Sequence, residues 1–106
     1  MSYGRWAATA QTHHADEEHQ RNPEAAAVFG AEGAYQPNAT RAALATLSAP
    51  VLLLAGALDL AAPPRVMAEF AAVFANATLV TQPEAGHFSW LDDPTWFTRT
   101  VAAFLE

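Results

Sequence analysis

The 106 residues carry five Arg, no Lys and 11 acidic side chains, a formal net charge of −6, with 52% hydrophobic and 15% charged residues. That size suits one domain, and the chain is too apolar to be disordered. The negative balance argues against a nucleic-acid backbone or an anionic membrane surface as partner, and the absence of Cys excludes disulfides, thiolate metal sites and Cys nucleophiles.

Met1 to Trp6 lacks a basic stretch followed by an apolar run, so no secretory signal is expected. No apolar run approaches the ~20 residues of a membrane span. The expected class is a soluble cytoplasmic protein.

The chain divides near Ser48. Residues 1–47 are rich in Ala and polar groups and read as broken helix. Arg5 to Gln20 has few large apolar residues and predicts a poorly amphipathic helix. Asn22 followed by Pro23 predicts an N-cap and first helical residue, with the helix running through Phe29 and ending at Gly30. Gly33 to Asn38 reads as a loop. Thr40 is then the expected cap of a short helix from Arg41 to Leu47, with Leu44 and Leu47 on one face.

Residues 48–106 alternate strand and helix patterns. Val51 to Ala55 is a continuous apolar run between Pro50 and Gly56, which suits a strand covered on both faces. Pro63-Pro64 opens a helix whose Val66, Phe70, Val73 and Phe74 fall on one stripe. Thr78 to Thr81 predicts a second strand, stopped by Pro83. Glu84 to Phe88 reads as a loop. Asp93 caps and Pro94 starts a last helix, with Phe97, Val101, Phe104 and Leu105 as its apolar stripe. Strand–helix–strand–helix with short links predicts a βαβα unit with two parallel strands.

Parallel strands deliver both following loops to one edge of the sheet. Asp59 lies three residues beyond Gly56, and His87 lies in the loop beyond the second strand. Neighbouring strands are ~4.8 Å apart, so the two side chains can meet, at the edge where open α/β sheets bind ligands. Such an Asp can accept the Nδ1 proton of the His and fix its tautomer, leaving Nε2 as a base. The plainer alternatives are a loop or helix-entry role for Asp59 and a surface loop His at position 87. Trp90 can either line a pocket near His87 or serve packing alone. His13, His14 and His19, with Asp16, Glu17 and Glu18, invite a metal reading. They lack a ligand spacing such as His-Glu-x-x-His, and a solvated polar helix face is the expected state.

Residues 49–106 resemble the C-terminal end of the α/β-hydrolase fold. The strand ending Gly56-Ala57-Leu58-Asp59 resembles the segment that carries the acid of that family. Ala85-Gly86-His87-Phe88 followed by Trp90-Leu91-Asp92-Asp93-Pro94 resembles the segment carrying its catalytic His, and the order acid then His agrees. The resemblance implies an α/β fold: residues 48–106 as the C-terminal βαβα portion of the sheet, and residues 1–47 as a helical, cap-like segment. It implies Asp59 and His87 as candidate catalytic residues and hydrolysis of an ester, amide, peptide or lactone, without cofactor or metal.

The nucleophile elbow Gly-x-Ser-x-Gly is absent; Ser2, Ser48 and Ser89 all lack that context. The expectation is therefore a hydrolase fragment with two of three triad members, inactive alone. Its partners would be a small-molecule substrate in the full-length enzyme and a complementing N-terminal half. The alternative is a non-enzymatic interaction module that self-associates through its open sheet edge.

Overall fold

A computed structural model describes residues 2–106. Three helices precede the first strand: α1 (Ala8–Gln20), α2 (Pro23–Phe29) and α3 (Pro37–Ala45). Then come β1 (Val51–Gly56), α4 (Pro64–Ala71), β2 (Ala77–Gln82), α5 (Ser89–Asp92) and α6 (Pro94–Leu105). The strands pair in parallel, from Val51 opposite Ala77 to Gly56 opposite Gln82, and α4 packs on both. This is the expected α/β arrangement.

Local chemistry sets most helix starts. Asn22 accepts from the Ala25 N–H with Pro23 in the first turn, and Asp93 accepts from the Trp96 N–H with Pro94 behind it. A cap of this kind is worth about 1 kcal/mol. Helix α3 departs from expectation. It begins at Pro37, not after Thr40, and the Thr40 N–H donates to the Gln36 carbonyl. Pro37 carries the helical φ and lacks a donor that the first turn would leave unpaired, so it starts the helix ahead of Thr40. The short helix α5 also lies where no separate element was expected.

Among the described residues the buried apolar ones are Tyr3, Ala10, Ala55 and Ala85. Ala55 lies near the carboxyl end of β1 and Ala85 in the loop after β2, whereas Val51 to Leu54 remain half-buried. The two-stranded sheet leaves the outer edge of each strand without a further strand among the described residues. No helix among them is long and apolar enough to cross a membrane.

Candidate functional site

Both loops leave the sheet from one paired level. Gly56 and Gln82 are register partners, and the two chains stay joined beyond them. The Ala57 N–H donates to the Gln82 carbonyl at 2.9 Å, and the Leu58 N–H to the Ala85 carbonyl at 2.8 Å. Gly56 is needed for this approach: a Cβ there would overlap the carbonyl oxygens of Gly86 and Ala85. The Asp59 N–H closes the turn onto the Gly56 carbonyl at 3.1 Å.

This turn brings Asp59 to His87, with Oδ2 and Nδ1 2.8 Å apart. The other oxygen, Oδ1, accepts from the N–H groups of Ala61 and Ala62 at 2.9 and 3.1 Å. The loop reading of Asp59 and its pairing with His87 therefore coexist on one carboxylate. Asp59 is not the helix cap; Pro63 holds that place. Burial alone would raise the Asp59 pKa. The His87 hydrogen bond, the two backbone donors and the imidazole charge outweigh it, and the pKa lies below the ordinary carboxylate value. An ionised carboxylate only accepts, so Nδ1 of His87 carries the proton and, in the neutral ring, Nε2 carries the lone pair. The His87 side chain is 46% exposed, against 6% for that of Asp59. The arrangement is a buried, ionised carboxylate behind an accessible imidazole.

Phe88 forms the aromatic neighbour of His87, with ring centroids 5.5 Å apart. Trp90 packs on Phe88 and Phe97 at 5.5 and 6.2 Å. Among the described residues no ring contact joins Trp90 to His87, which favours its packing role. The His cluster of α1 does not converge: no group of three or more metal-ligating side chains lies together among the described residues. His14 and His19 are exposed as expected. His13 departs from the solvated face. It is half-buried, hydrogen-bonds the Tyr3 hydroxyl at 2.8 Å through Nδ1, and packs on Phe88 at 4.7 Å. Ser89 is buried at the start of α5, and its carbonyl accepts from Gln82 Nε2 at 2.9 Å.

Sequence reasoning missed Asp92. It is buried at the end of α5 and accepts three backbone N–H groups. The available signal was two adjacent Asp before Pro94, only one of which can cap α6.

A sequence profile of the TAP-like protein family of α/β hydrolases matches residues 30–106. A pimeloyl-[acyl-carrier protein] methyl ester esterase of Pectobacterium atrosepticum is 38% identical over 66 residues, 62% of this chain and 26% of its own. Among solved structures, a thermophilic esterase of Thermogutta terrifontis aligns with a TM-score of 0.61 and 30% identity, over 68% of this chain and 26% of its own. BpoC of Mycobacterium tuberculosis, described as a non-heme bromoperoxidase, aligns with a TM-score of 0.57 and 28% identity, over 61% of this chain and 24% of its own. The chain thus spans about a quarter of the length of these relatives. With the profile covering most of its residues and about two thirds of the chain aligning with these solved structures, the chain belongs to the TAP-like protein family of the α/β hydrolases.

Proposed function

We propose that this chain supplies the acid and the histidine of a Ser-Asp-His triad in an ester-hydrolysing enzyme whose nucleophile lies outside these 106 residues. The observation that carries the reading is the 2.8 Å bond between Asp59 and His87 at the carboxyl edge of the sheet. Two of the similar proteins bear esterase names, which favours an ester over an amide or lactone.

In this reading Nε2 of His87 takes the proton of a serine hydroxyl as it attacks the ester carbonyl, then returns it to the leaving alkoxide. Asp59 holds the tautomer and stabilises the imidazolium between those transfers. Alone, the chain has negligible esterase activity, because no Gly-x-Ser-x-Gly elbow is present. Residues 1–47 serve as a cap-like segment, and residues 48–106 dock as the end of the sheet.

A graft tests this. The matching quarter of the Thermogutta esterase is replaced by the aligned residues of this chain, and activated-ester hydrolysis is followed. A folded graft should turn over, and His87→Ala should lower kcat by about 10⁴ or more. Undiminished turnover by the His87→Ala graft would overturn the assignment.

The open outer edges of β1 and β2 favour a second reading, self-association through strand pairing. Gel filtration separates the two, since a well-folded monomer contradicts the second.

A further inference from the structure

Asp92 is 4% exposed, and the charge of a carboxylate is costly to bury without partners. Its partners are not side chains. Oδ2 accepts from the Gly86 N–H at 2.8 Å and from the Gly4 N–H at 2.9 Å, and Oδ1 accepts from the Arg5 N–H at 2.8 Å. Gly86 immediately precedes His87. Gly4 and Arg5 belong to the N-terminal segment, which runs against the same loop: the Phe88 N–H donates to the Ser2 carbonyl at 2.9 Å. The His87 loop is therefore held from both sides, at Gly86 by Asp92 and at Phe88 by Ser2.

The glycines make room for this clasp. A Cβ on Gly86 would overlap the Ser2 carbonyl, and one on Gly4 would overlap the Glu84 carbonyl. Glu84, at the start of the loop, takes a left-handed φ of 57°, a conformation that non-glycine residues adopt only when their surroundings impose it. Charge-assisted hydrogen bonds to backbone N–H are among the stronger ones, and three on one carboxylate fix the backbone that carries the imidazole.

We propose that Asp92 is the positioning residue of the His87 loop: its carboxylate locks Gly86 to the N-terminal segment and so presents His87 Nδ1 to Asp59. The proposal rests on reading Asp59 and His87 as one hydrogen-bonded pair. Asp92 touches neither side chain of that pair and acts only through the backbone.

The test is NMR of the purified 106-residue chain, with no activity required. Wild type should give a low-field His87 Nδ1–H resonance that is lost in Asp59→Asn. Asp92→Asn should lose the same resonance while the amides of β1 and β2 keep their dispersion, and Asp92→Glu should restore it in part. Retention of the signal in Asp92→Asn, with its loss in Asp59→Asn, would overturn the positioning role and leave the pair intact. Absence of the signal from wild type would overturn the pair and this proposal together. If Asp92→Asn fails to fold, amide hydrogen exchange in wild type decides. Gly4, Arg5 and Gly86 should then be protected together, and exchange at the free-peptide rate would overturn the clasp.

Discussion

At the carboxyl edge of the sheet, Asp59, Gln82, Ser89 and Asp92 are all buried polar residues, and each makes hydrogen bonds. In α2 and α3 no residue is buried; Phe29 at the end of α2 and Tyr35 in the loop between the two helices are 88% and 85% exposed. The two regions are held by different means. Helices α2 and α3 rest on local chemistry: an Asn22 cap, Pro23 and Pro37 in first turns, and a Gly30 stop. The edge rests on bonds between distant parts of the chain, such as Gly4 to Asp92 across 88 positions. Local signals suffice to start a helix. Fixing a side chain to within a hydrogen bond takes contacts from several elements, and those gather where the site lies.

Four outcomes sharpen this contrast. The largest concerns the edge. In the esterase graft, Asp59→Asn keeps the shape but loses the acceptor that sets the tautomer. A fall in kcat of about 10⁴, the size known for a triad Asp, is expected by steady-state kinetics. Next, Gly56→Ala drives a methyl into two carbonyl oxygens. Urea unfolding should register a loss of about 1–3 kcal/mol.

The third outcome compares caps. Asp93→Ala removes the cap of α6, whose neighbour α5 carries the buried Asp92, and about 1 kcal/mol of global stability should go with it. Asn22→Ala removes the same kind of cap from a helix with no buried residue. Its loss should appear as reduced helicity by circular dichroism, with little change in the unfolding midpoint. Equal midpoint shifts would erase the distinction between the regions.

The smallest outcome is in acid. The folded pKa of Asp59 is depressed, so its stabilising contribution is full above the ordinary carboxylate range and is lost as pH falls through the folded value. Wild type and Asp59→Asn should therefore converge in stability below that range and diverge above it. A gap that stays constant with pH would contradict the ionised, hydrogen-bonded state of Asp59.

Much of this architecture is legible in sequence, because its signals are local. Val51 to Ala55 and Thr78 to Thr81 announce strands by composition, and the Asn22-Pro23 and Asp93-Pro94 pairs announce helix starts. Parallel pairing explains why Asp59 and His87 share one edge, since both lie just past strand ends. Asp92 was not legible, because two of its three partners lie 87 and 88 residues away. Nor was the Tyr3–His13 bond, which takes His13 off the polar face and places it against Phe88. The α3 start was misplaced because Thr40 and Pro37 both carry start signals within one turn, and only the backbone hydrogen bonds choose between them.

In the proposed function, Asp59 and His87 work as one unit. A double-mutant cycle on kcat in the esterase graft tests it most directly. If the claim holds, Asp59→Asn combined with His87→Ala loses little more than His87→Ala alone, because an orienter has nothing to orient once the imidazole is gone. Losses that simply add would contradict it.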